Sequence, residues 1–99
     1  MKACVEKWLT EQFCGDAGLV SAVYDEYRQT LSRLLEELAA ARQGGQAKPL
    51  DKVLHTIKGS AAMVGDVEVS QLAAQARTLA DPAELEPVEA RLRQLLEEL

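Results

Sequence analysis

Apolar residues along this chain recur at threes and fours in five segments, the spacing that places side chains on one face of an α-helix. The first, about residues 3 to 13, lines up Val5, Trp8, Leu9 and Phe13. Gly15 supplies a stop, and Asp16 is a good N-cap for the helix that follows. That second segment, about 17 to 42, is the longest, with Val20, Val23, Tyr24, Tyr27, Leu31, Leu34, Leu35 and Leu38 as its stripe. Gly44-Gly45 marks a loop, and the third helix, about 49 to 65, opens on Pro49, which a first helical turn tolerates. A fourth, about 67 to 80, turns Val69, Leu72, Ala73, Ala76 and Leu79 inward. Asp81-Pro82-Ala83-Glu84 reads as a capped helix start. A helix beginning there would enclose Pro87 at a cost of about 3 kcal/mol. The pattern therefore predicts a turn at 82 to 85 and a last helix from about 86 to 98, with Val88, Leu92, Leu95, Leu96 and Leu99 inward.

Connections this short favour antiparallel neighbours. The expected fold is all-α: one domain over residues 1–99, in which the second to fifth helices form an antiparallel up-and-down four-helix bundle and the short first helix lies against one end. Composition agrees, since 47% of the 99 residues are hydrophobic but only 4% aromatic, with Leu and Ala dominant. A net charge of -5 argues against nucleic acid and against an anionic membrane surface. No apolar run approaches the roughly 20 residues that cross a bilayer, and Glu6, Lys7 and Glu11 interrupt any signal-like segment. Cys4 and Cys14 form no CxxC pair, which suggests a reduced, cytoplasmic setting with two half-buried thiols and no disulfide or metal role.

The third helix carries the only histidine, in "HTIKGSAAMVG", His55 to Gly65. On a wheel of about 100° per residue with Leu50 at zero, Val53, Leu54, Ile57, Ala61 and Val64 fall within about 60° of it and mark the core side. His55 then lies at about 140°, Ala62 at about 120°, Lys58 at about 80° and Gly59 at about 180°. The histidine faces water, with Lys58 beside it and Gly59 and Ala62 along the same face. Gly59 weakens a helix by roughly 1 kcal/mol relative to Ala, so its use needs a reason. A missing side chain there lets a large body approach the imidazole, and small Ala62 extends the clearing. An unprotonated ring nitrogen is a nucleophile near neutral pH, and an ammonium one turn away can hold phosphoryl oxygens. Each feature also has a plainer reading. A lone exposed histidine is ordinarily a surface residue, Gly59 could admit a crossing helix, and Lys58 could snorkel at the core boundary.

Taken together, the motif closely resembles the signature H-x-[L/I]-K-G-[S/A]-[A/S]-x-x-[L/V/M]-G of histidine-containing phosphotransfer (HPt) domains. The resemblance extends over nearly the whole chain: the Gly15-Asp16 turn, the long second helix with Tyr27, a loop, the motif helix and two shorter helices. It implies a four-helix bundle with an extra N-terminal helix and phosphorylation of His55 at Nε2. It further implies that Lys58 holds phosphoryl oxygens, that Gly59 admits the partner, and that Ser60 and Ala61 are packing positions. Gly65 would allow the close turn into the fourth helix. Ala76 and Arg77 depart from the family, standing where larger apolar residues are common.

No phosphate loop of the P-loop type is present, and Asp51 is a lone acid one turn before His55. The resemblance implies a monomeric phosphoryl carrier, not an enzyme, without a cofactor of its own. Response-regulator receiver domains would bring the Mg²⁺ and the aspartates that give and take the phosphoryl group, and a hybrid sensor kinase is a further class of partner. Lys48, Lys52 and Lys58 against Asp51 make a local +2 that suits an acidic receiver pocket. From Asp81 onward six acids oppose Arg91 and Arg93, a local -4 read as a solvated face. Competing readings are the phosphoacceptor domain of a chemotaxis-type kinase, a helical adaptor with an unused histidine, and a metal-binding bundle, for which one His and two distant Cys are a poor ligand set.

Overall fold

A computed structural model describes residues 1–79 and 81–99, and these are helical without strands. The helices are α1 (Ala3–Gln12), α2 (Ala17–Gly44), α3 (Ala47–Met63), α4 (Val67–Ala76) and α5 (Leu85–Glu97), with a short 3-10 turn at Pro82–Glu84 before the last. Asp16 caps α2, its carboxylate accepting from the Leu19 amide at 3.1 Å. Gly15 closes the preceding turn at φ +77°. The expected loop at Gly44-Gly45 is shorter than its composition suggests. Gly44 is still helical, and Gly45 at φ +69° ends the helix in the left-handed conformation. The third helix begins at Ala47, so Pro49 occupies its first turn, where its missing N–H has no intrahelical acceptor to lose.

α4 is shorter than the apolar spacing predicts. It ends at Ala76 and leaves Leu79 on the surface, while Ala80, the predicted last residue, lies outside the described residues. The side-chain hydroxyl of Thr78 donates to the Gln75 carbonyl at 2.7 Å, and the backbone tightens into i→i+3 bonds there. At the start of α5, Asp81 accepts from the Ala83 amide at 2.9 Å, so the capping signal is real but opens a 3-10 turn. α5 proper starts at Leu85, which places Pro87 third in the helix, again among amides without an intrahelical acceptor.

α2 packs against α3 and α5, α3 against α4, and α4 against α5, a closed ring of neighbours; α1 lies against α2. At about 1.5 Å per residue α2 alone runs about 42 Å, close to the 43 Å long axis of the molecule. The core within the ring is aliphatic, built from Leu31, Leu35 and Leu38 of α2, Leu54 and Ile57 of α3, Val69 of α4, and Leu92 and Leu95 of α5. Val5 and Leu9 of α1 are equally buried, so the first helix belongs to the core. Two expectations fail. Cys4 and Cys14 are both exposed instead of half-buried, because Cys4 lies off the α1 stripe set by Val5 and Leu9 and Cys14 falls in the turn beyond α1. Glu89, read as part of a solvated acidic face, is buried between α2 and α5.

Candidate functional site

The wheel argument holds on α3. Leu50, Leu54, Ile57, Ala61 and Val64 are buried, Val53 is half-buried, and His55, Lys58, Gly59 and Ala62 are all exposed. A β-carbon built on Gly59 would meet nothing within 4 Å, so this glycine does not serve the packing of a neighbouring helix. Its open face lies one turn from the imidazole, with Ala62 beyond it. The Lys58 ammonium has no carboxylate partner among the described residues and is available to an incoming anion. Its backbone carbonyl accepts from the Ser70 hydroxyl of α4 at 3.2 Å, which helps fix the motif helix against its neighbour.

Arg77, just past the end of α4, reaches across to the histidine. Its Nη1 lies 3.0 Å from His55 Nδ1. The same guanidinium donates from Nε to Asp51 Oδ1 at 2.9 Å and, more weakly, from Nη2 to Oδ2 at 3.4 Å. Asp51 is therefore no lone acid but the anchor of this arginine. The hydrogen bond from Arg77 holds the Asp51 carboxyl below its ordinary range, and the carboxylate raises the guanidinium in turn. With Nδ1 engaged from the protein side, Nε2 is the ring nitrogen left without a partner among the described residues. The arrangement presents one imidazole nitrogen to solvent, a cation one turn away and a clear approach. Attack on an anionic group through Nε2 requires the Arg77 contact to open, because a guanidinium only donates and its hold on Nδ1 leaves the neutral ring's proton on Nε2.

Sequence reasoning placed His55, Lys58, Gly59 and Ala62 on one exposed face because one helix carries them all. It noted Arg77 only as a departure from an apolar preference and Asp51 only as an isolated acid. Their partnership joins residues 26 apart, and the one local signal was the i, i+4 placement of Asp51 and His55 on a shared face.

Beyond the motif, the Gly65-Asp66 turn is tied down from three sides. Gly65 has φ +73°, and a β-carbon there would come within 2.6 Å of the Trp8 side chain. Asp66 is fully buried, accepting from the Tyr27 hydroxyl and the Lys2 ammonium, each at 2.7 Å. No group of three or more His, Cys, Asp or Glu side chains that could hold a metal occurs among the described residues.

No curated protein and no solved structure matches the chain. The family model of the Hpt domain matches residues 22–99, from the first turns of α2 through α5, including the whole site. On the strength of that match and the motif it encloses, the chain belongs to the Hpt domain family, which serves histidine phosphotransfer in two-component signalling.

Proposed function

We propose that the chain is a single HPt domain and that His55 Nε2 takes a phosphoryl group from the aspartyl phosphate of one receiver domain and yields it to the aspartate of another. In this reading α2 to α5 run up and down as an antiparallel bundle, and the protein is a cytoplasmic, monomeric carrier with no kinase activity. The receiver supplies Mg²⁺ and the acceptor carboxylate; this chain supplies a nucleophile, a cation and room. Lys58 draws the phosphoryl oxygens toward Nε2, and Gly59 and Ala62 let the receiver's active-site rim come close.

The observation that carries the reading is the exposed imidazole beside a glycine with open space above it. Incubation with a phosphorylated receiver tests it. Acid-labile, base-stable label is expected on the wild-type chain and none on His55→Gln. The variant should keep its unfolding midpoint, because the substituted side chain lies in water. Label persisting in His55→Gln would defeat the assignment. Labelling only by a chemotaxis-type kinase core, and not by receivers, would move the domain to that class.

A further inference from the structure

We propose that Arg77 and Asp51 form a latch that holds His55 in its unreactive tautomer in the resting chain, and that an acidic partner opens it by drawing the guanidinium away. A guanidinium carries only donors. Arg77 Nη1, 3.0 Å from His55 Nδ1, therefore takes the Nδ1 lone pair, and the proton of the neutral ring sits on Nε2. That is the nitrogen with the open approach, and while protonated it has no lone pair in the ring plane to offer. Asp51 keeps the guanidinium in this pose, accepting from Nε at 2.9 Å and from Nη2 at 3.4 Å. One arginine thus bridges an acid and the histidine one turn further along α3.

The inference rests on the function proposed above and bears alike on both directions of transfer. For uptake, the ring first moves its proton from Nε2 to Nδ1 by exchange with water, which needs Arg77 out of the way. The Nε2 lone pair then bonds to phosphorus, the bond to the donor's leaving group breaks with its electron pair, and the Nδ1 proton passes to water. The neutral phosphoimidazole has a bare Nδ1, to which Arg77 can return. Release retraces the path. Nδ1 gains a proton from water, phosphorus bonds to the acceptor oxygen, and the P–N electron pair returns to Nε2 of a neutral ring. The contact stands where the Nδ1 proton must go in both cases, so it slows uptake and release together and leaves their balance alone.

The latch is also weak enough to open. The Arg77 and Asp51 side chains are 31% and 56% exposed. An ion pair so exposed holds its partners together by about fivefold at most. Among the described residues Arg77 pairs with Asp51 alone, so a second carboxylate surface competes with a single acceptor. A receiver pocket supplies such carboxylates, and Lys48, Lys52 and Lys58 on α3 favour its approach.

Two measurements on the full chain test the latch without any receiver. Nitrogen-15 NMR of the unphosphorylated ring, at a pH where it is neutral, should find Nδ1 bare in the wild type and partly protonated in Arg77→Met. Phosphoramidate, a small chemical donor, brings no docking surface, so uptake from it waits for spontaneous opening. Arg77→Met should take label from it about two- to fivefold faster and, once the donor is removed, lose label faster by a similar factor. Loss of a cation alone would slow capture of this anion and speed loss, whereas an opened latch speeds both. A protonated Nδ1 in the wild type, or uptake no faster in Arg77→Met, would overturn the proposal. With a phosphorylated receiver as donor the gain should vanish, because docking has already opened the wild-type latch; an equal gain with both donors would overturn opening by the partner. Failure of receiver transfer in both chains would count against the proposed function and leave the latch itself standing, since the first two readouts use no receiver.

Discussion

At Gly59 an added methyl group would meet nothing, whereas at Gly65 it would strike Trp8 in a backbone conformation that L side chains rarely adopt. The two glycines of one motif therefore differ: only the second answers to the fold, and in the proposed function the first leaves room for a partner. Gly59→Ala should stabilise the domain by up to about 1 kcal/mol, the helix penalty removed. Gly65→Ala should destabilise it by about 2–4 kcal/mol, from left-handed strain and overpacking together. Gly59→Gln should unfold near the wild-type midpoint yet slow transfer from a receiver, since its side chain stands where the partner approaches. Denaturant titrations beside transfer rates check all three, and normal transfer in Gly59→Gln would return that glycine to an internal role. The spacing of His55, Lys58, Gly59 and Ala62 was legible in the sequence because a helix converts spacing directly into neighbourhood. The grip of Arg77 on Nδ1 was not, because it depends on where α4 stops and how α4 lies on α3.

Among the helices, boundaries were less legible than faces. The apolar spacing that runs on through Leu79 extends the predicted α4 past Ala76, yet the Thr78 side chain ends it by taking the Gln75 carbonyl. Arg77 is the C-cap of this shortened helix, its amide still on the Ala73 carbonyl, and its side chain reaches α3 from there. The charge pattern of α5 misled in a similar way, because Glu89 resembles its acidic neighbours in sequence but points between helices. There it accepts from Arg42 of α2 at 2.7 Å and from Arg93 at 3.3 Å, while Glu86 stands 3.9 Å from the same Arg42 and is largely exposed. Removing Glu89 leaves Arg42 facing the helix interface without its closest acceptor; removing Glu86 takes away only a solvent-screened charge. Glu89→Ala should therefore lower the unfolding midpoint distinctly, and Glu86→Ala should barely move it. Equal effects of the two substitutions would show that the α2–α5 contact owes nothing to this ion pair.

Across the whole molecule, the chain's first residues are fastened to the far end of the motif helix. Lys2 donates from its ammonium to Asp66 and from its backbone amide to the Tyr24 hydroxyl at 3.1 Å, and Tyr27 reaches the same Asp66 from α2. Three segments thus meet at one buried carboxylate just beyond the end of α3, whose last residue, Met63, lies about 12 Å along the helix from His55 at about 1.5 Å per residue. Partners 64 and 39 residues away in sequence left no local signal of this junction. Asp66→Ala strands a buried hydroxyl and an ammonium together, and should cost about 2–4 kcal/mol while leaving the transfer rate per folded molecule unchanged. The junction also has a signature in alkali. Burial, which lowers the Lys2 ammonium's pKa, is outweighed by the Asp66 hydrogen bond and charge, so that it lies above its ordinary 10.5. Burial and then the bond to Asp66 push the Tyr27 phenol well above its ordinary 10.0. Both groups keep their protons in the folded chain at a pH where the unfolded chain releases them. The folded state therefore binds more protons above about pH 10, and stability must fall as pH rises through that range. Below it, the contribution of both groups is fully present. Urea unfolding followed from pH 8 to 11 should show this decline, and it should be shallower in Tyr27→Phe and in Lys2→Met, each of which removes one of the two titrations. An undiminished slope in both variants would mean that other groups set the alkaline limit and that the Asp66 junction is not what alkali undoes.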